Sequence, residues 1–432
     1  MCRPVRLTET LVWLRPVGRR HRGSALASTF TWLDYSEREQ RLVRDVLGQF
    51  RDQETVDELG VGVIRDGFAD LLFPGTTTVM TRARYFLMVP WVCRRLEANR
   101  IAAARFPSRL REDELRLMRA LLRGGDEEGV IGRVAGDRLQ RLPSNIYWLG
   151  LGAWGIRTFP GNQADYVRTL GSFYASVQQT LAAREEGSEE SGTRHNWHGG
   201  LPPAPAGFPD EASIRLRRID AEYLSERIAS ARARTGEESL LAFLVRVGEP
   251  ADVEHLWEHP ALAQAPPHIL RWVRHVWAFA ETMHGAALLY NLMLAQLDGR
   301  EERIADYEDR LQLWCDAVDG RQADLDAWDR RDFWRLVGAT DARVWERTRT
   351  FVDDWLSIAL TPARRASVAQ DQAARDLIEA RERALKRGRA RLHNRRALEN
   401  WSGWSGASQM TYRWGVVSRI LADIQDGMAA DA

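Results

Sequence analysis

Lysine is almost missing from this chain: Lys386 is the only one, so nearly all of its 61 basic residues are arginine. With no other lysine there is no Gly-x4-Gly-Lys phosphate loop, and no G-x-S-x-G elbow or protein-kinase signature set is found either. Those gaps exclude the usual routes to ATPase, α/β-hydrolase and kinase chemistry. Cysteine is scarce as well: Cys2, Cys93 and Cys315 lie far apart and form no C-x-x-C pair, which excludes a disulfide framework or thiolate zinc site and fits a reducing cytosol. Long apolar runs are lacking. The best candidate, residues 85–92, is broken by Pro90 and flanked by Arg84, Arg94 and Arg95, short of the roughly 18 apolar residues a membrane span requires. The formal charge of +1 excludes a grossly basic or acidic protein, so any polyanion must be met by a local patch.

What is present is enough for folded domains: 432 residues, 44% hydrophobic. Arginine in place of lysine has two readings, a preference for bidentate phosphate or carboxylate binding and codon usage in a GC-rich genome. Its spread over the whole chain favours the second. Residues 1–27 read as a disordered extension, rich in arginine but without the apolar core of a signal peptide.

Helical periodicity dominates the rest. Ser36 with Glu39 makes a capping box ahead of Leu42, Val43, Val46, Leu47 and Phe50. Thr55 with Glu58 repeats that start signal, and Ile64, Phe68, Leu71 and Leu72 form a stripe that Pro74-Gly75 must end. Further helices are expected over 83–97 with a kink or restart at Pro90, 112–122, 143–156 and 165–183. Residues 187–210, including GLPPAPAGFP, cannot sustain helix or central strand and are expected to separate an N-terminal helical domain, 28–186, from a C-terminal one, 211–432. In that second half helices are expected over 222–234, 238–246, 268–297, 301–318, 343–358 and 362–399. Period-two alternation is confined to 214–216 and 410–414, enough for a minor hairpin at most. The fold class expected is mainly α, multi-helix, with two helical subdomains. Of 17 tryptophans, Trp272, Trp277, Trp314, Trp334, Trp345 and Trp355 fall on helical stripes and are expected in the core rather than on a base-stacking surface.

Three groups of residues carry candidate chemistry. Lys386, Arg387, Arg389, Arg391, Arg395 and Arg396 form a basic stretch followed by Trp401 and Trp404 in a Gly/Ser-rich turn, the combination a DNA or RNA surface needs for phosphate contact and base stacking. The plain alternative is a solvated helix face paired to acidic neighbours. His255, Glu258 and His259 spell H-x-x-E-H, which on one helical turn holds zinc and a general base, although Pro260 follows at once. A histidine-rich surface helix end is the plainer reading, because five-letter motifs recur by chance. His195 and His198 offer a weaker pair of the same kind. Asp66 and Asp70, four apart on a helix, and Arg82 and Arg84, at the next helix start, flank the Pro74-Gly75 break. They offer a metal pair and a phosphate contact, or, more simply, an internal pairing of Asp70 with Arg82 or Arg84.

The strings LLFPGT at 71–76, TRARYFLMVPW at 81–91, LPSNIYW at 142–148, WGIR at 154–157, GLPPAPAGFP, HGAALLYNLMLA at 284–295 and HNRRALENWSGWSGA at 393–407 are longer than motifs that recur by chance. They resemble an uncharacterised bacterial family, domain of unknown function six-three-six-one, from about residue 28 onward. The resemblance implies no catalytic residue. It implies company: members look like components of anti-phage defence loci beside helicase and phospholipase-D-like proteins. The sequence thus leads to the expectation of a cytoplasmic, accessory protein rather than an enzyme, associated with nucleic acid, without cofactor and away from the membrane. The rival expectations are a zinc hydrolase using the H-x-x-E-H pair and a helical scaffold that binds a helicase or nuclease.

Overall fold

From Ile269 to Ala295 apolar residues outnumber polar ones about three to one and recur on every side of the helix, so the segment must be wrapped by others. In the computed structural model, which describes residues 57–185, 195–340 and 342–430, that segment is the longest helix, Pro267–Asp298. At about 1.5 Å per residue it runs close to 50 Å. The described residues form sixteen α-helices and no strand, so the protein is mainly α. In chain order they are α1 (Gly62–Leu72), α2 (Tyr85–Ala98), α3 (Phe106–Arg123), α4 (Pro143–Ala153), α5 (Gln163–Glu185), α6 (Arg218–Ser230), α7 (Leu240–Val247) and α8 (Pro267–Asp298). Then follow α9 (Glu301–Asp319), α10 (Gln322–Asp326), α11 (Arg330–Ala339), α12 (Glu346–Ala359), α13 (Pro362–Arg365), α14 (Gln372–Lys386), α15 (Arg395–Glu399) and α16 (Trp414–Ala429). No helix among the described residues is long and apolar enough to cross a membrane.

The helices fall into two compact units, each discontinuous in sequence. The first joins residues 57–68 to 255–412 and is organised by α8. Gly299, in the left-handed region at φ +68°, ends α8 and lets α9 turn back along it. Gly285 lets Trp314 of α9 approach so closely that a Cβ there would clash with the indole. The indoles of Trp314 and Trp355 donate to the carbonyls of Glu281 and Thr282 on α8, which fixes α9 and α12 against it. Phe333 of α11 stacks between Phe68 and Phe279, at 5.4 and 5.2 Å between ring centres, with Trp328 and Trp334 edge-on.

The second unit joins residues 69–254 to 413–430 among the described residues. Its centre is α2, in which every residue from Tyr85 to Cys93 is buried. Pro90 sits inside α2 without ending it. Phe86 stacks on Trp154 with ring centres 3.7 Å apart and meets the edge of Tyr147, so α2 and α4 interlock through aromatic rings. At the start of α4 the N-cap position is Leu142, which has no capping side chain, and α3 supplies the cap instead. The buried Glu114 carboxylate accepts from the Ser144 amide at 2.6 Å and from its hydroxyl at 2.9 Å. Residues 200–210 lie within this unit: the Trp91 indole donates to the Pro202 carbonyl at 2.8 Å and its ring meets Phe208 edge-on. The break expected over 187–210 therefore does not divide the two units where it is described. Its proline and glycine give an irregular backbone that packs on α2.

Other departures have local causes. The capping box at Ser36 and the extension 1–27 lie outside the described residues, as do residues 186–194 of the proposed linker. The helix expected from Thr55 begins only at Gly62. Gly60 takes φ +65°, and the Asp57 carboxylate accepts from the amides of Val61 and Gly62, so the cap is Asp57. The single helix expected over 362–399 is cut into α13, α14 and α15. Asp371 restarts it as an N-cap accepting from Ala374, and Arg387 ends α14 at φ +51°. No strand forms at 214–216 or 410–414: Ile214 and Leu216 are buried from an irregular segment, and Trp414 opens α16. The helices α11 and α16 were not anticipated. Trp272, Trp277, Trp314 and Trp355 are in the core as expected, but Trp334 is half-buried and Trp345 is 73% exposed.

Burial pushes the Glu114 carboxyl up to about 7, well above its ordinary 4.5, against the two Ser144 hydrogen bonds that pull it down. The folded state thus holds this proton more tightly than the unfolded chain. Its contribution is greatest at acid pH and is lost as pH rises from about 4.5 through 7, on the order of 3 kcal/mol in total. Glu114→Gln should flatten that part of the stability profile. Thermal melts at pH 5 and pH 8 test it: an unchanged difference between the two pH values in the variant would refute the assignment.

Candidate nucleic-acid interface

The stretch 386–396 divides into residues turned inward and residues left in solvent. Lys386, in the last turn of α14, places its ammonium against three oxygens. They are Glu58 Oε2, the Tyr290 hydroxyl at 2.9 Å and Glu382 Oε1 at 3.0 Å. An ammonium carries three donors arranged about one point, and all three are used here. Arg391 completes the cluster, its guanidinium reaching Glu58 Oε1 at 2.5 Å and the Ser405 hydroxyl at 2.9 Å. Glu382 is fully buried. It accepts from Tyr290 Oη, from Lys386 and from the amides of Arg391 and Leu392, at 2.6 to 3.0 Å.

The electrostatics follow. Burial alone pushes Glu382 up, but the hydrogen bonds from Tyr290, the Leu392 amide, Lys386 and the Arg391 amide outweigh it and hold the carboxyl below its usual range. For Glu58 the same contest, burial against Lys386 and Arg391, also ends with the carboxyl lowered. Both acids are therefore anionic at neutral pH, and the site is a closed salt network. Lys386 and Arg391 are structural residues, which corrects their expected role as phosphate contacts.

Trp401 and Trp404 need the same correction. Trp401 is buried, with the Arg300 guanidinium 5.1 Å from its ring centre. Trp404 is half-buried, with Arg310 at 4.6 Å from its ring centre and Tyr307 beside it. Glycine and serine at 402–406 make this turn narrow enough to lie on α8, where buried Asn291 reads Ser405 through both its amide and its carbonyl. His284 donates to the Ala407 carbonyl at 3.1 Å, and the Tyr307 hydroxyl donates to that of Gly403. Neither ring is offered to a base.

Arg387, Arg389, Arg395 and Arg396 remain. All four are exposed, and their guanidinium groups make no ion pair or hydrogen bond among the described residues. The turn that carries them is held from below: Glu382 binds the amides at 391 and 392, and Asn394 donates to the Gly388 carbonyl and accepts from the Ala397 amide. Arg387 keeps a left-handed φ of +51° although it is not glycine, a conformation costing about 1–3 kcal/mol that the surrounding contacts must impose.

The other candidate residues are held apart. His255, Glu258 and His259 do not share an α-helical turn: only residues 256–258 are helical, as a single 3-10 turn, and both histidines are extended. Glu258 folds back to cap the His255 amide, while His259 is buried with Nδ1 accepting from Ala261. Pro260 enforces this by ending the turn, so the geometry that gives the spelling its meaning is not formed. His195 is exposed, and His198 meets the Tyr223 hydroxyl at 3.3 Å. Around Pro74-Gly75, Asp70 pairs with Arg413, not with Arg82 or Arg84, and Asp66 pairs with Arg65. Arg82 grips Asp423 with Nε and Nη2, at 2.9 and 2.7 Å, and buried Arg84 pairs with Asp220 at 3.2 Å. Gly75 takes φ +83° and Trp154 donates to the Pro74 carbonyl, so the block is a docking point for α4 and α16.

A second basic surface was not singled out in the sequence. Arg330, Arg331, Trp334 and Arg335 of α11 and Arg349 and Asp353 of α12 line an open groove of about 500 Å³. Its sequence signal is the run RRDFWR at 330–335, in which helical spacing assigns Trp334 to the core while the structure leaves that ring half-buried among its arginines.

Removing the ammonium alone tests the network. Lys386→Met leaves Glu58 and Glu382 as buried anions and should cost about 3 kcal/mol or more in urea unfolding. Lys386→Arg restores the charge but not the arrangement of donors about one point, and should remain less stable than the native chain. Native stability in the arginine variant would show that charge alone matters.

A model of a family of unknown function, DUF6361, matches residues 27–428. No curated protein and no solved structure matches the chain.

Proposed function

Taking as premise that the chain belongs to this family of unknown function, we propose that it is a nucleic-acid-associated accessory protein whose phosphate contact is the turn bearing Arg387, Arg389, Arg395 and Arg396. The observation that carries the reading is the division within one short stretch. Lys386 and Arg391 are neutralised by Glu58 and Glu382, whereas the four exposed arginines between and beyond them have no ion-pair partner among the described residues. Unpaired surface arginine on a rigid turn releases counterions when it meets a phosphate backbone, without an ion pair to break first. Since Trp401 and Trp404 are committed to the protein, the contact reads charge and not bases. In the setting that the resemblance implies, such a protein serves a bacterial defence system beside a helicase or phospholipase-D-like partner and performs no chemistry itself.

Gel-shift titration with duplex DNA, single-stranded DNA and RNA tests the proposal. Binding should weaken steeply between about 50 and 200 mM salt, as expected for a few phosphate contacts. Replacing Arg387, Arg389, Arg395 and Arg396 by glutamine should weaken it by about tenfold or more and leave the melting temperature unchanged, because all four are exposed and none pairs with another described residue. Absence of binding at low salt sinks the proposal, and so does binding that survives the fourfold change.

A further inference from the structure

The groove between α11 and α12 presents four guanidinium groups and one carboxylate. Asp353 is already engaged, accepting from the Trp334 indole at 2.9 Å and lying 3.8 Å from Arg349. Arg335 pairs with Asp332, which also meets His275 and Arg271. The side chains of Arg330 and Arg331 have no ion-pair or hydrogen-bond partner among the described residues. Among the described residues the groove therefore holds more positive charge than its carboxylates offset, the excess resting on Arg330 and Arg331.

Two features select among anions. The guanidinium carbon of Arg349 lies 5.2 Å from the centre of the Trp334 ring, a cation–π contact that holds this charge at the groove. One helical turn before it stands Trp345, 73% exposed although its spacing suits a core position. An exposed indole at the N-cap of α12, four residues before the groove-lining Arg349, offers a platform for a flat ring, and stacking on such a platform contributes about 1–3 kcal/mol per base. A volume of about 500 Å³ lies in the range of small-molecule sites. We infer that this groove binds a nucleotide, the phosphates held by Arg330, Arg331, Arg335 and Arg349 and the base stacked on Trp345. The same chemistry is offered by a free nucleoside triphosphate and by the phosphorylated end of a single strand.

The site shares no residue with the turn at 387–396, so the two proposals stand or fall separately. Isothermal titration with ATP, inorganic tripolyphosphate and a 5′-phosphorylated oligo-dT of about ten nucleotides tests it, run on the full chain and, for the strand, on the full chain with glutamine at 387, 389, 395 and 396 so that the other phosphate contact does not contribute. ATP, the strand or both should bind more tightly than tripolyphosphate, and the tighter of the two identifies the natural source. The double change Arg330→Gln with Arg331→Gln should weaken binding about tenfold or more without altering the circular-dichroism melt, since both side chains are exposed and have no partner among the described residues. Trp345→Ala should weaken ATP and strand binding and leave tripolyphosphate unaffected. The fourfold glutamine variant at 387, 389, 395 and 396 should bind ATP normally. No heat with any of the three at low salt overturns the inference. So do equal affinities for ATP and tripolyphosphate, indifference to the double change, or preference for a polyglutamate peptide over all three.

Discussion

The first unit depends on two buried carboxylates being paid for by one ammonium and one guanidinium. Glu58 enters from the segment before α1, Tyr290 from the middle of α8, Glu382 and Lys386 from α14, and Arg391 from the turn beyond. Removing an ion from water costs several kcal/mol unless its partners replace every hydrogen bond it had. Here they nearly do, with Glu382 receiving four donors of which two are backbone amides. That arrangement fixes a short stretch near residue 58 against the C-terminal half of the chain, far away in sequence. Neighbouring Arg381 adds to it by donating to the carbonyls of Leu59 and Gly60 and to the Thr348 hydroxyl.

The second unit is closed by the same chemistry with guanidinium in every position. Arg82 holds Asp423 of α16, whose carboxylate also accepts from the Ala83 amide, and Arg413 bridges Asp70 and the Thr76 carbonyl. In each case a planar, multi-donor cation satisfies a carboxylate and an orphan backbone group together, which an ammonium on a flexible stem does less well. Composition that first reads as codon usage is thus put to structural use. Where three acceptors surround a single point instead of lying along a fork, the chain has its lysine.

Helix existence was legible wherever a stripe was long and uninterrupted. The residues of α2, α8, α9 and α12 announce themselves through apolar spacing, because burial of one face needs that spacing whatever the neighbours are. Helix ends were less legible, since the deciding groups are distant: α4 is capped by Glu114 from another helix, and α14 stops because Arg387 accepts a left-handed backbone. The candidate surfaces were half legible. A basic stretch can be seen in letters, but the sequence around 386–396 does not reveal that Glu58, more than three hundred residues away, claims two of its charges. Nor does spacing distinguish Trp345 from Trp355: both fit a stripe, and only the packing of α12 shows that one is outside.

The solitary lysine has one more consequence. Every side-chain modification that requires a primary amine, whether acetyl transfer, isopeptide tagging or an amine-directed crosslinker, has Lys386 as its single address in this chain. That amine is enclosed by the carboxylates of Glu58 and Glu382 and the Tyr290 hydroxyl, which occupy its three donor positions and bar the approach of an acyl donor. A folded molecule of this protein is in effect silent to lysine-directed signalling through its side chains. Any such mark, once found on it, would report that the first unit had opened.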